Sequence, residues 1–129
     1  MRSSFSTHWK SSIKPRKQRK YNYNAPLHLR HKFLNAHLSK ALKEKHGKRS
    51  LPLRTGDEVL VMRGAFKKKK AKVVSIDIKK TRVVLEGIQR TKKDGTKVPV
   101  FFHPSALKIE SIGSDDKLRI KQKAKNKEK

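Results

Sequence analysis

Downstream of residue 50, apolar residues fall in short bounded runs of strand length, and upstream of it they thin out to a helical spacing. Val59, Leu60, Val61 and Met62 form the first run, directly after the turn signal Gly56-Asp57. An Arg63-Gly64 turn and the block Lys67, Lys68, Lys69 and Lys70 separate it from a second run, Val73, Val74, Ile76 and Ile78. The two runs predict a hairpin that presents a cationic connection to solvent. Lys79-Lys80-Thr81 turns the chain into a third strand over Arg82 to Glu86, and Ile88 to Thr91 leads on to Asp94-Gly95. Asp-Gly is among the strongest hairpin signals, so Lys97 to Phe102 is expected to pair back as a fourth strand. Pro99 cannot donate to a ladder and belongs on an edge or at a bulge. A closing strand is expected over Lys108 to Ile112, with Val59, Val61, Val73, Val83, Leu85, Val100 and Ile109 as the core. Five strands with short connections suit a small barrel, which would also hide its edges.

Before residue 51 the pattern is helical. Asn24 can cap a helix with Pro26 in its first turn, and Leu27, Leu34 and Leu38 fall at i, i+7 and i+11, with His31 in the i+4 slot. Ser39 predicts a second N-cap for a short helix through Ala41 and Leu42 that ends at Gly47. Leu51-Pro52-Leu53 then reads as a linker from this arm to the barrel. Ahead of the helices, Pro15 biases the basic run Lys14 to Asn24 toward an extended start.

Charge changes the picture more than hydropathy does. The 129 residues carry 36 Lys and Arg against 10 Asp and Glu, a net charge of +26, and only a third of them are apolar. One small core is all such a chain can build. Self-repulsion of that size calls for a polyanion, and a nucleic acid is the default. An acidic membrane surface would also match the charge, but there is no long uncharged apolar run and no basic helix with an aromatic face to insert. Residues 1–50 hold 14 basic residues against one acid, Glu44, so this third cannot neutralise itself and is expected to fold fully only against a partner. Zero cysteines rule out a disulfide framework and a thiolate metal site.

Residues 1–13 are serine-rich, with Phe5 and Trp9 as the large side chains, and lack the apolar stretch of a secretory signal. A disordered leader is expected there; the same bias is shared by organellar transit peptides. In the run that follows, Arg16, Lys17, Arg19 and Lys20 can track phosphates while Tyr21 and Tyr23 offer faces to unpaired bases, a combination suited to irregular RNA. The alternative is a solvated basic tail or a nuclear-localisation-like cluster. His28, His31 and His37 have no carboxylate or thiolate nearby, and neutral imidazoles hydrogen-bond or stack on RNA equally well, so no metal is assigned to them. Residues 113–129 alternate lysine with polar residues; Leu118 and Ile120 could seed a marginal helix, but disorder is expected.

The order Gly56-Asp57-x-Val59-x-Val61-x-x-Gly64, then a basic loop and Lys72-Val73-x-x-Ile76, resembles the KOW motif, whose strands open a small SH3-like barrel and commonly touch RNA. The family's glycine just before Lys-Val is Ala71 here, so an ordinary β or αR residue is expected at that position, with the loop reshaped around it. Upstream stand Arg16-Lys17-Gln18-Arg19-Lys20, Asn24-Ala25-Pro26-x-His28-x-Arg30, Leu38-Ser39-Lys40 and Arg49-Ser50-Leu51-Pro52. Together with the KOW unit they are similar to the archaeal and eukaryotic branch of one large-subunit ribosomal protein family, the twenty-fourth in bacterial and the twenty-sixth in eukaryotic numbering. The likeness runs from about Lys14 to Ile112.

It implies a mainly β chain: a leader at 1–13, a basic N-terminal arm with one or two short helices at 14–50, an SH3-like (KOW) five-stranded barrel at 51–112 and a basic C-terminal tail at 113–129. It also implies a one-turn 3₁₀ corner at His103 to Leu107. The family binds the 5′ region of large-subunit ribosomal RNA, acts early in assembly and sits by the mouth of the peptide exit tunnel in the cytoplasmic ribosome.

Ten scattered acids, with no pair in an apolar pocket, and the lack of any nucleotide loop or nucleophile elbow argue against an enzyme. The classes left are a structural RNA-binding protein of the large subunit, a KOW module of transcription elongation, and a free-standing RNA chaperone or regulator. Candidate RNA contacts in the arm are Arg16, Lys17, Arg19, Lys20, Tyr21, Tyr23, Asn24, His28, Arg30, His31, Lys32, Lys40 and Arg49. On the barrel they are Arg63, Gly64, Lys67, Lys68, Lys69, Lys70, Lys72, Lys79, Lys80, Arg82, His103 and Ser105, with the like charges gathered at one end. The expected partners are large-subunit ribosomal RNA and neighbouring ribosomal proteins; no cofactor, membrane insertion or homo-oligomer is expected.

Overall fold

Among the described residues thirteen buried apolar side chains, nearly all of them on strands, share one core, and no layer of long helices covers them. They are hidden because the sheet that carries them curls over its own inner face. A computed structural model describes residues 5–6, 8–9, 11–113 and 117–120 of the chain. The strands are β1 (Asn35–Leu38), β2 (Ser50–Pro52), β3 (Glu58–Val61), β4 (Lys70–Asp77), β5 (Arg82–Thr91), β6 (Lys97–Phe102) and β7 (Leu107–Ser111). The helices are α1 (Pro15–Asn24), α2 (Leu27–Phe33), α3 (Lys40–His46) and the single turn α4 (Lys117–Ile120). A 3₁₀ turn at Pro104–Ala106 joins β6 to β7, as the family likeness implied.

The strands form one mainly antiparallel sheet in the order β2-β1-β7-β3-β4-β5-β6, with β1 parallel to β7. The five expected strands are all present, and two more come from the arm and the supposed linker. The sheet is therefore seven-stranded, and it is not closed: β2 and β6 remain as edges. β4 helps the sheet curl by pairing its first residues with β3 and its later ones with β5. The β5–β6 register slips between Val84 and Gln89, where Gly87 takes φ 68°, and this bulge bends the strand further. Val59, Val61, Val73, Val83, Leu85 and Ile109 are buried as expected, whereas Val100 is only half-buried near the β6 edge. Pro99 lies on that edge strand.

The arm departs most from its helical reading. The helix opened at Leu27 stops at Phe33, and Asn35–Leu38 is a strand: Ala36 and Leu38 point into the core while Asn35 and His37 face out. Ladders to β2 on one side and β7 on the other outweigh the Leu34/Leu38 spacing. Asn24 closes α1 and does not cap α2, whose first turn begins at Pro26. Pro15 stands in the first turn of α1, where its fixed φ suits a helix; its extended bias falls on Lys14, at ψ 116°. Ser39 does cap α3, its hydroxyl accepting the Leu42 N–H at 3.4 Å, and Gly47 ends it at φ 61°. Although acid-poor, the arm is tied to the sheet through β1 and β2 within the chain itself.

The C-terminal segment holds a feature the charge pattern concealed. Arg119 on α4 forms a two-pronged ion pair with Asp57, at 2.9 and 2.5 Å, and neither side chain is exposed to solvent. Asp57 also accepts the Arg54 N–H (2.9 Å) and the Gly113 N–H (3.2 Å). Gly113 passes so close to Gly56 that a Cβ there would stand 2.1 Å from its carbonyl oxygen. Expected disorder thus gives way at 117–120 to a docked helical turn; at 114–116 and 121–129 the expectation lies outside the described residues, as it does for leader residues 1–4, 7 and 10.

Candidate nucleic-acid interface

The cationic loop between β3 and β4 is held by its backbone. Lys68 donates its N–H to Val61 and takes φ 71°, a left-handed conformation uncommon for a residue with a Cβ, while Gly64 takes φ 92°. Ala71 is an ordinary strand residue opposite Val59, as expected, because the loop makes its reversal earlier, at Lys68. Lys67, Lys68 and Lys69 are exposed, and the Lys69 ammonium lies 5.3 Å from the centre of the Phe66 ring. Lys70 differs from them. Its ammonium sits 2.6 Å from Glu110, a hydrogen bond that holds the lysine above its ordinary pKa and the carboxyl below its own.

Arg63 reaches from the same loop to the 3₁₀ turn, donating to the Ser105 carbonyl (2.7 Å) and hydroxyl (3.0 Å). His103 Nδ1 lies 2.9 Å from that hydroxyl. The structure therefore gathers Arg63, Gly64, Lys67, Lys68, Lys69, His103 and Ser105 into one polar surface at the start of β4.

A second group stands at the other end of β4, where Lys79 and Lys80 occupy the turn and Arg82 opens β5. Arg30 ties this turn to the arm. Its guanidinium donates to the carbonyls of Ala25 (2.9 Å), Tyr23 and Lys79 (3.4 Å), so it is engaged with backbone, and Tyr23 stands 81% exposed beside it. The cations expected at one end of a barrel thus bracket β4 from both ends and are not gathered at one. Lys72 lies between them on β4, opposite Glu58.

On α1, Arg16, Lys17, Arg19 and Lys20 all face solvent. Tyr21 does not share their freedom. Its ring stacks on Trp9 (centroids 4.1 Å apart, planes at 25°) and packs against Phe5 (5.0 Å) and Phe33 (6.4 Å), so the leader lies on the helix at these residues and the Tyr21 face is occupied. Asn24 is half-buried, His28, His31 and Lys32 are exposed along α2, and Lys40, the first residue of α3, and Arg49, beyond its end, are exposed. Two residues escaped the sequence reading. Phe101, 57% exposed, and Arg90 line a groove on β5 and β6; inward Val98, Val100 and Phe102 should have placed Phe101 on the outer face by alternation.

A family model described as the ribosomal proteins L26 of eukaryotes and their archaeal L24 counterparts matches residues 12–125. The chain belongs to that family. It is a ribosomal, non-enzymatic protein, similar to the large ribosomal subunit protein uL24 of Korarchaeum cryptofilum, 49% identical over 108 residues that cover 84% of this chain and 82% of the relative. It is likewise similar to the uL24 protein of Pyrobaculum islandicum, 50% identical over 111 residues covering 86% and 90%. The match spans the arm, the sheet and α4 together, so the features outside the KOW-like hairpin belong to the same family unit.

Proposed function

We propose that this protein is a structural constituent of the large ribosomal subunit that binds the 5′ region of large-subunit ribosomal RNA early in assembly, near the peptide exit tunnel. In this reading residues 51–112 act as an SH3-like anchor, and the basic arm of residues 14–50 presents α1 and α2 between RNA helices while β1 ties it to the sheet. The observation that carries it is uncompensated charge. Ion pairs between described residues engage Lys70, Lys108 and Arg119, while Lys67, Lys68, Lys69, Lys79, Lys80 and the cations of α1 face solvent without a carboxylate. Phosphates relieve that repulsion, and contacts to the backbone and shape of a folded RNA give the grip.

Salt-gradient sedimentation of a lysate with antibody to this chain tests the proposal. Co-migration with the large subunit that survives moderate salt and is lost on RNase treatment is expected. Migration with RNA polymerase, or free at low molecular weight, would overturn it.

A further inference from the structure

β6 is an edge strand whose outward face carries an aromatic ring. Lys97, Pro99 and Phe101 point away from the core, and Phe101 is 57% exposed although Val84 lies directly across from it. A groove runs along the stretch from Val98 to Phe101 and is rimmed by Lys80, Arg82 and Arg90, with no acid in its lining. The register sets the spacing of these cations. Arg90 is opposite Val98, and Val83, the neighbour of Arg82, is opposite Phe102, so along β6 the two arginines stand about 16 Å apart, Arg82 on the Phe101 face and Arg90 reaching the groove from the Val98 side of the edge strand. The β5 bulge between them lengthens that strand so that one arginine falls at each end. None of the three cations forms an ion pair with a described carboxylate.

We propose that this groove binds a short unpaired stretch of RNA, with a base on the Phe101 ring and phosphates to either side of it on Arg82 with Lys80 at one end and on Arg90 at the other. The inference rests on the RNA-binding reading above and adds a single-strand site to it. Cations bracketing an apolar floor match the alternation of phosphate and base in a single strand, and a paired base has no free face to offer. A protein strand adding to the β6 edge fits less well, because Pro99 removes a backbone donor and the cations favour an anionic chain.

The full chain is titrated with a fluorescein-labelled ten-nucleotide oligouridylate and with a labelled RNA hairpin of ten base pairs, read by anisotropy at fixed salt. Phe101→Ala should weaken oligouridylate binding about 5- to 100-fold, Phe101→Trp should retain it, and hairpin binding should be unchanged in both. Replacing Arg82 and Arg90 together by alanine should weaken the oligonucleotide and flatten its salt dependence. Circular dichroism confirms that each variant is folded. A Phe101→Ala protein within twofold of the parent, or one that loses both RNAs equally, would overturn the groove while leaving the wider reading intact. A parent chain that binds neither RNA would overturn both. Competition by a poly-glutamate peptide with the same dependence on Phe101 would assign the groove to an acidic protein segment instead.

Discussion

Replacing Arg119 by methionine keeps much of the apolar stem and removes the guanidinium, leaving the fully buried Asp57 carboxylate with the N–H groups of Arg54 and Gly113. Breaking one side of a buried ion pair costs about 3–5 kcal/mol, because the remaining charge is stranded in a poorly polarisable site. For a domain of this size, with about 3–5 °C of melting temperature per kcal/mol, the expected drop is about 9–25 °C. Urea unfolding followed by circular dichroism should show a lower midpoint at nearly constant slope, since the surface exposed on unfolding hardly changes. Asp57→Asn combined with Arg119→Met should be much less damaging than the two single losses added, because no stranded charge remains. The loss in Arg119→Met should also persist at high salt, which screens exposed charges but not buried ones. A loss below about 1 kcal/mol, the scale of an exposed pair, would refute the reasoning and mean that α4 is not docked on the Gly56-Asp57 turn.

Substituting Lys67, Lys68 and Lys69 together by alanine should weaken binding to a large-subunit ribosomal RNA fragment and lower the salt slope by roughly 0.7–0.9 for each phosphate no longer neutralised, with the urea midpoint almost unchanged. An unchanged slope would move the RNA grip to the arm. The Lys70–Glu110 pair gives a pH signature: the depressed carboxyl contributes stability above its unfolded range that fades as pH falls through its folded value. The raised ammonium contributes below its unfolded range and fades in alkali. Lys70→Ala should therefore differ from the parent near neutrality and converge with it in acid; a constant gap in urea midpoints down to low pH would exclude the pair as the cause. Ser39→Ala removes the α3 cap and should cost about 0.5–2 kcal/mol in the same unfolding assay, toward the lower end for a bond as long as 3.4 Å.

Features that the sequence declares locally were legible. Ser39 and Gly47 mark the ends of α3 because a cap and a left-handed stop need those residue types, and Asp94-Gly95 marks the β5–β6 turn, where Asp94 accepts the Thr96 N–H (2.9 Å) and hydroxyl (2.6 Å). Features made by distant partners were not. Asn35–Leu38 becomes a strand because β2 and β7 offer it ladders, and four residues of alternation are too few to outvote a leucine stripe. Arg119 looks like one more solvated tail cation until Asp57, 62 positions away, is placed beside it. Charge marked the candidate contacts but not which of them are already engaged. Lys70, Arg30 and Tyr21 each had internal partners that no spacing rule reveals.

The stacking of Trp9 on Tyr21 gives the chain its own optical reporter. Trp9 is the sole tryptophan, and its ring lies within 4.1 Å of a tyrosine on the basic helix. Excitation energy absorbed by Tyr21 passes efficiently to an indole at that separation, so tyrosine-excited emission at tryptophan wavelengths measures whether the leader lies on α1. Adding RNA to the unlabelled protein would then reveal, from its intrinsic fluorescence alone, whether the helix engages its partner with the aromatic stack intact or opens the stack to offer both rings.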